Sequence, residues 1–357
     1  MIARAMDQLR VLQVGLGGWG RDWAHRIIPG VPEAQVVGYV DPDPGALARL
    51  RDEVPATPAQ CFLTLDRAIE ATQPEAVLVT ATLPGHAPLA AAALAAGLHV
   101  LVEKPFAESL EAGQQLVEMA ATRRKVLMVS QNYRFYPAVR RVAQLVNEAR
   151  LGKLHEVSID FRRYSPGTGN ARGRHHMEAQ PLLVDMSVHH FDLLRLILDR
   201  EPERIFCEAW NPGWTGFSGP SVAVASIQFE GGIVVSYRGS WVSTGPVTPW
   251  SGEWRMDFEE GQIFWTSRDD DGVRRDRVAI HRPARRPNLV PLPALPRTDR
   301  AGILTEFARA IHEGREPECS GRDNLGTLAL VSAAVESATR GQPVDISAAE
   351  VPAQLAI

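Results

Sequence analysis

The chain's 357 residues are enough for two domains with separate cores, and a composition 45% hydrophobic and 22% charged is that of a globular protein. A net charge of −4 argues against nucleic acid or an anionic membrane surface as a partner. Cys61, Cys207 and Cys319 are widely spaced and form no Cys-x-x-Cys pair, which argues against a disulfide framework or a structural zinc site.

From the N-terminus, Arg4 is followed by no apolar signal core, and no apolar run reaches the length of a membrane span. A cytoplasmic protein without a membrane partner is expected. The first element is an apolar strand over residues 10–14, which feeds a Gly-x-Gly-x-x-Gly turn at Gly15, Gly17 and Gly20, with a helix-competent stretch behind it. In a dinucleotide fold the first glycine makes the tight turn and the second lets the backbone approach a pyrophosphate. The third lets helix and strand pack closely, and the helix N-terminus faces the phosphate charge. Three glycines alone are a weak signal. A second apolar strand over 35–40 strengthens it, because it ends at Asp41, about 20 residues past the turn, where a carboxylate would hold the adenosine ribose.

The alternation continues with a helix over 44–54, a short strand at 61–62, a helix over 65–72 and an apolar strand over 76–80. A helix over 86–96 stops at Gly97, and a buried strand over 99–102 runs into Glu103-Lys104-Pro105. Ser109 then caps a helix through 121, and a strand follows over 126–129. Such alternation implies a parallel sheet with helices on both faces. Past residue 130 the texture changes. A helix over 136–149 has Pro137 in its first turn, and strands follow over 154–164, 204–210, 222–229 and 233–242, then around Phe258, Phe264 and Val278. Glycine-rich turns at 230–232 and 260–261 indicate antiparallel pairing. One helix, over 182–198, interrupts them. The proline-rich stretch 281–296 reads as an extended, solvated loop, and helices over 299–313 and 322–339 follow.

Two further places carry chemistry. Ligands bind outside the carboxyl ends of parallel strands, and Lys104 stands at one, with Pro105 restricting its backbone. A lysine there can hydrogen-bond a substrate oxygen and stabilise developing negative charge; a solvated lysine in a strand-to-helix connection fits the same position. Asp185, His189 and Asp192 stand at i, i+4 and i+7, so on a regular helix they share a face. Histidine suits proton exchange near neutrality, and a carboxylate can hold its tautomer. A helix carboxylate beside a satisfied core histidine fits this spacing too. His175, His176, His189 and His190 raise the question of a metal. Adjacent histidines point in different directions and no cysteine accompanies them, so none is expected.

With these residues in view, the chain resembles the Gfo/Idh/MocA oxidoreductases over nearly its whole length. The resemblance rests on Gly15-Leu16-Gly17-Gly18-Trp19-Gly20, Leu83-Pro84-Gly85-His86, the run from Gly97 through Glu103-Lys104-Pro105, and Asp185-x-x-x-His189-x-x-Asp192. It implies an α/β protein with two domains. Residues 1–132 would form a Rossmann domain with a doubly wound parallel sheet. Residues 133–357 would form an α/β domain with a large, mainly antiparallel open sheet and C-terminal helices, 299–340, near the junction. The resemblance further implies hydride transfer between a nicotinamide and a sugar, cyclitol or polyol hydroxyl. Lys104 would bind the reacting oxygen, His189 would be the acid/base and Asp185 its support. The cofactor would lie against Gly15, Gly17, Gly18, Trp19, Gly20, Asp41, Thr82, Leu83, His86, Glu103, Lys104 and Asn132. Arg134 and Arg163 would join Lys104, Asp185 and His189 around the substrate.

Pro42, rather than an arginine, follows Asp41, which favours NAD over NADP. Family members vary over 165–180, where Arg172, Arg174, His175 and His176 fit an acidic sugar, a phosphate or a surface loop equally well. Trp210, Trp214 and Trp241 suit a sugar face, a core or an oligomer contact. The open sheet implies a homodimer or homotetramer. Two other functions stay open: an enzyme whose bound NAD is reduced and reoxidised within one cycle, as in glycosidase-like members, and a nucleotide-sensing regulator. An intact Lys104, Asp185 and His189 set argues against the regulator.

Overall fold

The short apolar strands of the first third of the chain are β1 (Leu9–Val14), β2 (Ala34–Val40), β3 (Cys61–Phe62), β4 (Ala76–Val79), β5 (His99–Val102) and β6 (Leu127–Val129). They pair in parallel in the order β3-β2-β1-β4-β5-β6. All four residues of β4 are buried, as expected of a strand covered on both faces. The helices between the strands are α1 (Gly18–Asp22), α2 (Pro44–Glu53), α3 (Leu65–Thr72), α4 (Leu83–Ala95) and α5 (Leu110–Thr122). A π-helical turn, Trp23–Ile27, continues α1. Helix α4 starts three residues before the expected position. Thr82 is its N-cap, and the hydrogen bond Pro88 cannot make would have gone to Pro84, in the exposed first turn. Because β1 lies between β2 and β4, the chain reverses direction across β1 and leaves a crevice at the carboxyl ends of these strands.

The computed structural model describes residues 8–346 apart from 170, 171, 271, 274 and 275, and only the backbone at 174; the stretch around Arg4 lies outside the described residues. By contacts the chain divides into two units. Among the described residues, one contains the parallel sheet, 8–132, together with Arg297–Leu325; the other contains Tyr133–Pro296 and 326–346.

The second unit is built on β7 (Leu154–Arg162), β8 (Pro202–Trp210), β9 (Val222–Phe229), β10 (Ile233–Ser240), β11 (Glu253–Phe258), β12 (Gly261–Thr266), β13 (Arg277–His281), β14 (Asn288–Leu289) and β15 (Val344–Asp345). Their order is β14-β13-β12-β11-β7-β10-β9-β8-β15. The sheet is mainly antiparallel, but β7 and β10, side by side, run parallel. Sequence patterning reads each strand alone and carries no information on this pairing. Strand β14 lies within the stretch expected to be a proline-rich loop. Gly231 and Gly232, at φ of 80° and 78°, make the β9–β10 hairpin turn in a region that favours glycine. Alternate residues of β10 (Ile233, Val235 and Tyr237) are buried with α6 (Pro137–Asn147) and α7 (Val188–Leu198), while Val234, Ser236 and Arg238 are exposed.

The predicted helix over 182–198 is divided: Leu183–Ser187 is a π-helical turn, in which the Ser187 N–H donates to the Leu182 carbonyl at 2.7 Å, and α7 follows. Helix α8 (Asp299–Glu313) clusters with the parallel-sheet unit, although it follows the second unit in sequence. Its buried Ile303, Leu304 and Phe307 belong to an apolar stripe, and it contacts β2 and β5. Helix α9 (Gly321–Arg340) supplies Leu330, Val331, Ala333 and Ala334 to the core of the second unit.

Candidate functional site

At the end of β1 the backbone turns at Gly15, whose φ is 93°; an added Cβ would come within 2.4 Å of the Ala81 backbone. A Cβ on Gly20 would lie 1.9 Å from the Gly15 carbonyl oxygen, the close approach the third glycine allows. Gly17 and Gly18 differ. Both are exposed, and nothing lies within 4 Å of a Cβ built on either, so the turn presents open backbone on its outer side. The turn is held from beneath. Gln13 Nε2 donates to the Gly20 carbonyl at 2.6 Å, and Thr80 Oγ1 donates to the Gly15 carbonyl at 2.6 Å.

Asp41 follows β2. Its Oδ2 accepts from the Leu16 N–H at 2.7 Å and its Oδ1 from the Asp43 N–H at 2.9 Å, which anchors the carboxylate to the glycine turn. Leu83 follows the Thr82 cap as the first residue of α4. His86, buried, has its ring nitrogens 2.7 Å from the Pro105 carbonyl and 3.1 Å from that of Ala81. It joins the start of α4 to the segment after Lys104.

Glu103, past β5, is also buried. Its Oε1 accepts from Trp19 Nε1 at 2.8 Å, Trp23 Nε1 at 2.7 Å and Ser130 Oγ at 3.3 Å, and its Oε2 accepts from the Lys104 N–H at 3.3 Å. The segment carrying Lys104 is thereby tied to the helix behind the glycine turn. Lys104 is partly buried and precedes Pro105 through a cis peptide bond. Asn132 donates to the Asp299 carboxylate, next to Arg300.

In the second unit His189 lies in the first turn of α7, buried, with its ring stacked on Tyr133 at 4.0 Å between centroids and 3° between planes. Arg268 donates to the Tyr133 hydroxyl at 2.8 Å. Asp185 does not continue the α-helical phase of His189, because it sits in the widened turn before α7. Burial and the neighbouring His176 lower the pKa of His175, and Asp185 partly opposes them. Asp192 is paired with Arg134 through Nε–Oδ2 at 2.7 Å and Nη2–Oδ1 at 2.6 Å, and it accepts from Thr327 Oγ1 at 3.2 Å. The guanidinium expected beside a substrate therefore anchors α7. Arg163 is buried with its guanidinium 4.0 Å from the Trp250 ring, and Nη1 donates to Asp270 at 2.9 Å. That bond holds the Asp270 carboxyl below its usual range.

His190 and His176 each have hydrogen-bond partners of their own. His190 bridges the Tyr237 hydroxyl at 3.1 Å and the Trp250 carbonyl at 3.0 Å, and burial lowers its pKa to about 4. His176 accepts from the Gly173 N–H at 2.9 Å and packs on His175 and Phe217. Among the described residues no three His, Cys, Asp or Glu side chains are grouped to hold a metal ion. Arg172 donates to Ser218 Oγ at 3.1 Å; the side chain of Arg174 lies outside the described residues.

Two family models match this architecture. Residues 9–131 match the GFO/IDH/MocA oxidoreductase family model with an NAD-binding Rossmann fold, and residues 139–264 match the GFO/IDH/MocA C-terminal domain. The chain belongs to the GFO/IDH/MocA oxidoreductase family. Among relatives, the uncharacterized protein y4oX of Sinorhizobium fredii is 27% identical, covering 94% of this chain and 95% of its own. D-apiose dehydrogenase of Paraburkholderia graminis is 26% identical over 80% of this chain and 76% of its own. Inositol 2-dehydrogenase of Corynebacterium glutamicum is 30% identical over 52% and 53%. Among solved structures, an Agrobacterium radiobacter oxidoreductase in complex with NAD+, L-tartaric acid and magnesium has the same fold. Its TM-score is 0.83 at 21% identity, covering 95% of this chain and 99% of that one.

Within this family member the three tryptophans have different fates. Trp241 is core, edge-on to Phe161 with its N–H on the Pro181 carbonyl, whereas Trp210 and Trp214 are exposed. Tyr133, Trp250, Asp270 and Arg300 are neighbours of the expected site residues that sequence reading missed. No spacing connects them to their partners. The one available signal was that Tyr133 lies between Asn132 and Arg134, both already singled out.

Proposed function

We propose that this enzyme transfers a hydride between NAD and a hydroxyl or ketone of a sugar, cyclitol or related polyol. One observation carries the reading. Along a single sheet edge, open glycine backbone at Gly17 and Gly18 lies between the anchored Asp41 carboxylate and the segment bearing Lys104. Such a cradle fits a dinucleotide, with Asp41 at the adenosine ribose and Thr82, Leu83, His86 and Asn132 toward the other end. A bound nicotinamide supplies the hydride acceptor or donor at C4. Lys104 binds the reacting oxygen and stabilises its developing negative charge. His189 exchanges the hydroxyl proton, supported by Asp185. Arg163, stacked on Trp250, is a further substrate contact.

NAD is favoured over NADP by the surroundings of Asp41. Pro42 carries no donor, Asp43 adds a second carboxylate, and Arg49 is paired with Asp43 at 3.0 Å. A 2′-phosphate would meet two negative charges here. The protein assembles as a dimer or tetramer through the open face of its second sheet, where Phe206, Val224 and Val234 are exposed.

The test is nicotinamide absorbance with NAD or NADP and a panel of cyclitols, aldoses, uronates and amino sugars, beginning with inositols and apiose. A rise with NAD and one polyol class, lost in His189→Ala, is expected. No change with any of these, nor with NADH and the matching ketones, overturns the reading. Light scattering that finds a monomer overturns the assembly.

A further inference from the structure

Trp19 is the aromatic residue of the glycine turn, and its side chain is fixed on two sides. At its edge the indole N–H donates to Glu103 Oε1 at 2.8 Å; at one face the Arg300 guanidinium lies 4.0 Å from the ring. Arg300 is buried, donates to the Asp22 carboxylate and also lies 5.5 Å from the Trp23 ring. Trp23, one helical turn below, donates to the same Glu103 oxygen and is fully buried. Yet Trp19 itself is 45% exposed. An indole held at its edge and one face, with so much surface left open, is a prearranged contact surface.

The sheet order says what the surface faces. Strand β4 lies between β1 and β5, so an indole that begins behind β1 and reaches the residue after β5 crosses above the end of β4. Asp41 lies on the other side of β1, at the end of β2. A dinucleotide whose adenosine ribose is at Asp41 and whose phosphates lie over Gly17 and Gly18 extends its second nucleoside toward β4 and β5. Trp19, reaching the residue after β5, stands on that side of β1.

We propose that Trp19, clamped by Glu103 and Arg300, is the positioning residue for the nicotinamide end of the cofactor. The indole packs against the nicotinamide ring and fixes its depth relative to Lys104, while Glu103 and Arg300 act through the indole. This rests on the dinucleotide reading above.

The experiment compares two probes, NADH and ADP-ribose, by calorimetry on full-length protein. ADP-ribose lacks nicotinamide and keeps everything else. For Trp19→Ala, NADH affinity falls roughly three- to tenfold, the usual worth of an aromatic contact, while ADP-ribose affinity stays unchanged. Trp19→Phe keeps a ring, so it recovers most of the loss. It also weakens energy transfer from tryptophan to bound NADH. Arg300→Met and Glu103→Gln release the clamp and give smaller losses for NADH alone. Equal losses for both probes, or none for either, overturn the proposal, and so does a Trp19→Phe variant that binds NADH no better than Trp19→Ala. Wild-type protein that binds neither probe overturns the dinucleotide reading itself, a result distinct from all of these.

Discussion

The parallel-sheet unit and the mixed-sheet unit hold their chemistry in different ways. In the first, the telling residues lie in short consecutive runs at strand ends, and the glycine turn presents backbone rather than side chains. In the second, α7 is held by partners far away in sequence: Arg134 on Asp192, Thr327 on Asp192, Trp250 on His190 and Tyr133 on His189. A site made of strand-end backbone can lose ligand affinity without losing stability. A site on a buried helix couples the two.

That difference can be tested by substitution. The largest effect is expected on turnover: Lys104→Ala and His189→Ala should each lower kcat by about 10²–10⁴-fold while NAD still binds. Loss of NAD binding in both would remove their catalytic assignment. Next, Arg134→Ala removes the guanidinium from the buried Asp192 carboxylate, and should cost about 3–5 kcal/mol in urea unfolding. Arg134→Met combined with Asp192→Leu should recover most of it; if the single variant is neutral, the contrast between the units fails.

Acid should act through His190. Burial holds its folded pKa at about 4, below the ordinary 6.5. The stability linked to the neutral ring is complete above about pH 6.5 and declines as pH falls toward 4, by up to roughly 3 kcal/mol. His190→Gln should flatten the urea midpoint over that window. His99, in the first unit and also held at about 4 by burial, contributes with the same sign, and His99→Gln separates its share. The smallest effect is on the open glycine. Gly17→Ala should leave Tm unchanged and weaken NAD by about tenfold, because its Cβ meets no protein atom within 4 Å and would meet the dinucleotide of the proposed reading. A fall in Tm for Gly17→Ala would mean that this turn, too, is held by packing.

Much of the first unit was legible in the sequence. Five of its six strands were readable as apolar runs because parallel strands are covered on both faces, and the sixth, β3, as a pair of residues. The glycine turn announced itself because its function requires missing side chains at fixed spacing. The second unit was legible element by element but not in its pairing. Nothing in 154–164 or 233–242 says that β7 and β10 lie side by side in parallel. The i, i+4, i+7 spacing of Asp185, His189 and Asp192 assumed a regular helix. The π-helical turn and the Arg134 pair, both set by packing on the sheet, redistribute these residues.

The sequence by itself determined the family, the two-part architecture and the strand ends at which Asp41, Glu103 and Lys104 stand, because backbone geometry and strand periodicity are local. Tertiary structure alone decided that Glu103 holds Trp19, that Arg300 backs its ring, that Tyr133 stacks on His189 and that Arg134 belongs to Asp192. These are contacts between buried groups distant in sequence. Each is fixed by the need of a buried polar group for a partner, and the chain does not state which partner until it has folded.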